Sequence, residues 1–174
     1  MKQAYIIIDM QNDFITGTLG STSAQRIVPR IEEEIIKVKK NAADTTELIF
    51  TQDTHDERYL DTQEGKNLPI QHCQKDSHGW NICRDLLPYT LDAVVLEKST
   101  FGCTALIEAA APYDTLVLMG LCTDICIISN ALLLKAFYPE KNIIVYSSCC
   151  AGSTEEAHQT ALTAMQACQI HIIR

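Results

Sequence analysis

Leu116-Val117-Leu118-Met119-Gly120-Leu121-Cys122-Thr123-Asp124-Ile125-Cys126 is the stretch whose reading decides the fold. Four apolar residues run into a glycine, and beyond it the apolar spacing turns helical. The pattern predicts a buried strand, a tight turn and a helix, with Cys126 in the helix's first turn. A helix N-terminus carries partial positive charge and unpaired N–H groups. That setting lowers a thiol's pKa and supplies thiolate, the form that attacks carbonyl carbon. Cys126 is therefore the first candidate nucleophile.

Working outward, strand and helix alternate. Ala4–Met10, Glu47–Gln52, Ala93–Glu97, Thr115–Gly120, Asn142–Ser147 and Gln169–Ile173 read as six strands. Ser23–Ala43 reads as a helix with Ile27, Ile31, Ile35 and Val38 on one face, Ser21, Thr22 or Ser23 as cap, and Pro29 in its early turns. Cys103–Ala111, Thr123–Tyr138 (closed by Pro139) and Ser153–Cys168 read as further helices, the last with Ser153 and Glu156 as a capping box. Strands apolar on both faces need cover on both sides. The expected architecture is a three-layer α/β/α sandwich around a six-stranded, mostly parallel, Rossmann-like sheet, in one domain spanning 1–174. In such sheets ligands sit beyond the carboxyl ends of the strands. Asp9, Asp53, Lys98 and Cys126 all fall at or just past such ends.

Composition narrows the function. The 174 residues carry a net charge of −8, with 47% apolar and 21% charged. An acidic chain without clustered Lys and Arg is no nucleic-acid binder. No apolar run nears the roughly 20 residues of a spanning helix. Met1–Asp9 has too short an apolar core for a signal peptide, so no membrane role and a cytoplasmic location are expected. Eight cysteines without a secretory signal read as reduced thiols or small buried apolar groups. Cys122 and Cys126 have three residues between them and do not make a C-x-x-C pair. The G-x-G-x-x-G, G-x-x-x-x-G-K-[ST] and G-x-S-x-G patterns are absent.

Two constellations remain. Asp9 interrupts Ile6-Ile7-Ile8-Asp9-Met10, where a carboxylate is costly to bury unless paired or protonated. Lys98 ends Val94-Val95-Leu96-Glu97-Lys98. Alone, a lysine there simply emerges into solvent; with Asp9 and Cys126 it completes a nucleophile, a proton-moving carboxylate and a cation that favours thiolate. The second group lies in the long polar segment Asp53–Tyr89. Asp53 and His55, two apart at a strand end, point the same way in extended backbone. With Glu64 and His72 they make a donor set suited to Zn²⁺, Mn²⁺ or Fe²⁺. A solvated polar loop is the plainer alternative by composition.

These residues resemble the isochorismatase-like cysteine hydrolases, and within them the nicotinamidases, along essentially the whole chain. Ile8-Asp9-Met10-Gln11-Asn12-Asp13-Phe14 looks like the motif of the catalytic aspartate, Lys98-Ser99-Thr100-Phe101 like the catalytic-lysine segment, and Gly120–Cys126 like the nucleophile motif. The resemblance implies Asp9, Lys98 and Cys126 as catalytic residues, with the backbone N–H groups of Cys122 and Cys126 as oxyanion hole. It implies a cis peptide between Leu121 and Cys122 that aims those groups. It maps a divalent ion, Zn before Mn or Fe, onto Asp53, His55, Glu64 and His72. Many members carry a tryptophan before the last metal histidine. Leu68-Pro69-Ile70-Gln71 stands there instead, so the pocket wall differs. Phe14, Leu68 and Phe101 are the expected substrate contacts. The implied reaction is hydrolysis of nicotinamide to nicotinate and ammonia. Another cysteine hydrolase on a different small amide or carbamoyl compound is the alternative, and a binding protein without turnover the more distant one. A homo-oligomer is expected, with the apolar helix Thr123–Tyr138 available to an interface.

Overall fold

Ile6 and Ile8 face one side of the central sheet and Ile7 the other, and all three are fully buried. This alternation on an all-apolar strand is what a covered parallel sheet demands. The structure, a computed structural model, describes residues 2–41 and 46–174. Its strands are β1 (Gln3–Ile8), β2 (Thr46–Asp53), β3 (Val94–Lys98), β4 (Thr115–Leu121), β5 (Asn142–Ala151) and β6 (His171–Ile173). They form one sheet in the order β3-β2-β1-β4-β5-β6, every neighbouring pair parallel. The order reverses between β1 and β4. That is where an open α/β sheet leaves its ligand crevice.

The helices are α1 (Asn12–Ile15), α2 (Thr22–Asn41), α3 (Gln63–Asn67), α4 (Ala105–Ala110), α5 (Ile128–Phe137) and α6 (Glu155–Ala167). Ile27, Val28, Ile31 and Ile35 of α2 pack on the Ile7 face. Leu106, Ala131, Leu134 and Leu162, from α4, α5 and α6, pack on the Ile6–Ile8 face. The three expected layers are therefore present. Ser21 Oγ accepts from Ala24 N (3.0 Å) and caps α2, which runs through Pro29. The expected end of that helix at Ala43 lies outside the described residues. No helix among the described residues is long and apolar enough to cross a membrane.

Several boundaries move for local reasons. β1 ends at Ile8 rather than Met10 because Asp9 adopts φ +51°, outside the strand region. β5 extends to Ala151 because a register shift between Leu118 and Gly120 lets Cys150 and Ala151 pair with β4. β6 starts at His171 because Gln169 takes φ +63°. α6 is capped by Thr154, whose side chain accepts from Ala157 N, while Ser153 Oγ donates to Asp124 Oδ2 (2.5 Å). The cap thus moves one residue on, and with Ala157 at the third helical position the expected capping box of Ser153 and Glu156 does not form. β3 is an edge strand with Val94 and Val95 more than a third exposed, so it is not covered on both faces.

Gly120 holds the centre of this design. Its φ is +125°, and a Cβ there would lie 2.1 Å from the Ile8 carbonyl oxygen. Gly120→Ala would force β1 and β4 apart at the crevice. We expect it to cost more than about 3 kcal/mol, combining backbone strain with overpacking. Urea unfolding of both proteins checks this; a midpoint within error of wild type would contradict it.

Candidate active site

Four strand ends converge. Past β1, Asp9 is fully buried; Thr51 Oγ1 donates to its Oδ1 (2.6 Å) and accepts from its backbone N–H (3.2 Å). At the end of β3, Lys98 pairs in register with Asp53 of β2. Lys98 Nζ lies 2.7 Å from Asp9 Oδ2 and 3.0 Å from Asp53 Oδ1, donates to the Thr100 carbonyl (3.0 Å), and reaches 3.6 Å from Cys126 Sγ. Thr51 occupies Oδ1, which leaves Oδ2 to face Lys98 and the Cys126 thiol. Past β4, Thr123–Ile127 forms a π-helical turn before α5. Such turns widen a helix locally and are frequent at functional sites. Asn130 on α5 ties the turn down: its Nδ2 donates to the Cys126 carbonyl (2.8 Å), and its Oδ1 accepts from Cys103 N (2.7 Å). One lysine therefore joins the acid, the thiol and the second cluster.

That second cluster is compact. One donor atom from each of Asp53, His55, Glu64 and His72 lies within 4.8 Å of all the others. His55 Nε2 is 2.9 Å from Asp53 Oδ2 and 3.7 Å from Glu64 Oε1; His72 Nε2 is 3.5 and 3.9 Å from the same atoms. A tetrahedral zinc with bonds of about 2.0–2.1 Å holds its donors about 3.3 Å apart. The observed spacings bracket that figure, and two imidazoles with two carboxylates suit Zn²⁺, Mn²⁺ or Fe²⁺. His72 Nδ1 donates to the Ile70 carbonyl (2.8 Å), which turns Nε2 toward the cluster as the ligand atom. The residues fit a divalent ion.

A cavity of about 320 Å³ opens onto both groups. Cys126 and His72 lie on its wall, and so do Phe14, Leu68 and Phe101, the three expected contacts. Its volume is at the lower end for ligand pockets, which suits a small molecule. A family model described as the Isochorismatase domain matches residues 3–174.

The chain belongs to the isochorismatase family. It is 27% identical over 175 residues to an uncharacterized isochorismatase family protein PncA of Bacillus subtilis (strain 168), covering 94% of this chain and 93% of that one. A pyrazinamidase/nicotinamidase structure from Streptococcus mutans UA159 superposes with TM-score 0.86 at 27% identity, covering 99% of this chain and 100% of that one. The pyrazinamidase of Pyrococcus horikoshii in complex with zinc superposes with TM-score 0.85 at 23% identity, covering 100% and 99%. At that identity the second likeness speaks for the fold alone.

Two expectations for this isochorismatase-family site need correction. The Leu121–Cys122 peptide is trans, as is every described peptide. The chain turns instead at Gly120, whose positive φ is open to glycine at no steric cost. The Cys126 thiol is pushed well above its usual pKa, not below it. Burial is the largest cause and the Asp9 carboxylate the next, with Lys98 opposing both. A helix N-terminus contributes about 0.3–1 kcal/mol, less than about one pKa unit. Full burial moves a group by up to about 3–5 units. Desolvation wins, so the thiol holds its proton at rest.

Asp9 is also raised, by burial first and the Asp53 charge after it, against the pull of Lys98 and Thr51. Burial works to lower Lys98, but the Asp9 and Asp53 carboxylates hold it above its ordinary value, as an ammonium. Asp53 lies below the usual carboxylate range: burial would raise it, and hydrogen bonds from His55 and His72 with the Lys98 charge overcome that.

Several supporting residues were not singled out from sequence. Tyr59 is fully buried, with its ring 4.5 Å from His55 and 4.9 Å from His72. Gln11 clasps the Asp53 backbone, its Oε1 accepting from Asp53 N (2.7 Å) and its Nε2 donating to Asp53 O (2.8 Å). Only Gln11 carried a signal, as a polar residue two places past the strand-end aspartate.

Proposed function

We propose that the protein is a metal-containing cysteine amidohydrolase that converts nicotinamide to nicotinate and ammonia. The observation that carries this reading is Lys98 Nζ in simultaneous reach of Asp9, Asp53 and Cys126, with Asp53 and Cys126 on the wall of a small apolar cavity. The pyrazinamidase/nicotinamidase from Streptococcus mutans supports the choice of substrate.

The ring enters between Phe14, Leu68 and Phe101, with the amide carbon toward Cys126 Sγ. Asp9 takes the thiol proton through Oδ2 as Sγ bonds to the amide carbon, and Lys98 stabilises the negative charge appearing on sulfur. The carbonyl oxygen, now anionic, rests on the N–H groups of Cys122 and Cys126. Asp9 returns the proton to the amide nitrogen, the C–N bond breaks and ammonia leaves. A thioester remains. Asp9 then takes a proton from water, the hydroxyl bonds to the thioester carbon, and the C–S bond breaks as Asp9 returns that proton to sulfur; the acid set free gives up its proton to solvent as nicotinate. Asp53, His55, Glu64 and His72 would hold the divalent ion, which when bound supplies a Lewis-acid partner for the pyridine nitrogen and so orients the ring.

Because the thiol starts neutral, the competent state is the Asp9–Cys126 pair sharing one proton. It gains a second proton only as pH falls through the raised Asp9 value, and loses its proton only above the thiol's usual 9.0. The expected kcat/KM profile therefore carries an acid limb above 3.8, belonging to Asp9, and no alkaline limb below 9.0. A limb near pH 7 belonging to thiolate formation would contradict it.

The deciding experiment is ammonia release from millimolar nicotinamide, with metal content determined before and after chelation. Turnover that falls on chelation and returns with zinc supports the reading. No ammonia from nicotinamide, with release from another small amide or carbamoyl compound, would move the protein to a different cysteine hydrolase of this family.

A further inference from the structure

Gly152 lines the apolar cavity on one side and a second recess on the other. The second recess exists because β6 pairs only with Ile144, Val145 and Tyr146, while β5 continues to Ala151. Among the described residues, the outer edge of β5 carries no strand from Ser147 onward. α2 and α6 flank that edge and leave a space of about 420 Å³. Three of the chain's five arginines line it: Arg26, Arg30 and Arg174. Glu155 is the one acidic residue on its wall. Arg30 donates to the Ser148 carbonyl (3.0 Å), which fixes it against the β5 edge. Among the described residues none of the three guanidinium groups pairs with a carboxylate; Arg58 is the arginine that does. In a chain of net charge −8, unpaired cations gathered on one recess concentrate a field suited to an anion.

A buried imidazole connects this recess to the nucleophile turn. His158 lies on the recess wall with 9% of its surface exposed. Its Nδ1 is 2.7 Å from Thr123 Oγ1, and its Nε2 has no protein partner among the described residues. Thr123 is fully buried and opens the π turn that carries Cys126.

We infer that the recess between α2, the β5 edge and α6 binds a small anion bearing a phosphate or carboxylate group, and that His158 transmits its binding to the Cys126 turn. Arginine forks match the paired oxygens of both groups. The free Nε2 supplies a further contact at the back of the recess. The inference does not depend on which amide the enzyme hydrolyses.

Isothermal titration of the intact protein in low-chloride buffer, with inorganic phosphate and separately with succinate, tests the site and distinguishes the two chemistries. Saturable binding of one of them is expected. It should weaken by at least about tenfold in Arg26→Gln/Arg30→Gln and stay unchanged in Arg58→Gln. Both altered arginines are exposed, so the fold is not at risk. No saturable heat with either anion at tens of millimolar, or equal affinity in the double variant, overturns the site. The coupling is read by the rate of iodoacetamide labelling at Cys126, followed by mass spectrometry. Saturating anion should change that rate at least twofold in wild type and not in His158→Gln. An unchanged rate in wild type overturns the coupling.

Discussion

Cys126→Ala is expected to abolish ammonia release, lowering kcat by at least about 10³-fold while leaving bound metal unchanged. The size follows from the role: the sulfur forms a bond to carbon, and nothing nearby can do so in its place. Cys122, the other thiol on the cavity wall, is pushed up to about 12 by burial, with the Asp124 and Asp9 charges adding to it. It has no lysine in contact to stabilise its thiolate. The substitution removes one buried sulfur and touches none of Asp53, His55, Glu64 or His72. Metal content and the unfolding midpoint should therefore stay near wild type, which separates lost chemistry from lost structure. The variant also discriminates between mechanisms. If the divalent ion attacked through its own water, turnover would survive loss of the thiol. Residual activity above a tenth of wild type would remove Cys126 from the nucleophile's role. Asp9→Asn is the companion: the amide keeps the hydrogen bond from Thr51 and tolerates the positive φ, but cannot take a proton. A loss of about 10²–10⁴ is expected there, the usual worth of a positioned acid–base group.

The parts of this site that could be read in sequence are those marked by a break in pattern. Asp9 stood out because a charge ended a run of isoleucines, and Cys126 because a strand, a glycine and a helix met in front of it. Lys98 and Asp53 fell at strand ends, and the parallel order of the sheet then brought those ends together. What stayed hidden depends on backbone geometry that side-chain patterns do not encode. The π turn at Thr123–Ile127 has the apolar spacing of an ordinary helix start. The φ of +51° at Asp9 shortens β1 without altering its sequence signature. Tyr59 sits in a polar stretch, and only folding lays its ring against both histidines. The protonated thiol was misread for a related reason. The sequence shows the helix start, but the depth of burial that outweighs it appears only once the chain is packed.

Lys98→Met should unfold more easily than wild type by about 3–5 kcal/mol and lose activity as well. Its side chain is 2% exposed and that of Asp9 0%, so water screens little of their interaction. Removing the cation strands Asp9 more than Asp53, because Asp53 keeps His55 at 2.9 Å and His72 at 3.5 Å. The cost is therefore mainly that of one uncompensated buried carboxylate, and a second substitution can relieve it. Asp9→Asn/Lys98→Met places a neutral amide beside a thioether. It should be more stable than Lys98→Met alone by about 1–3 kcal/mol, the coupling expected of contacting residues. Activity should not return, since both the proton carrier and the charge beside sulfur are gone. Stability and catalysis thus part company in the double variant. Urea titration of the four proteins, with ammonia assays alongside, measures the cycle. Were the two single losses simply to add, the lysine–aspartate contact would not be what holds the floor of the crevice, and the support it lends to a Cys126–Asp9 proton transfer would fall with it.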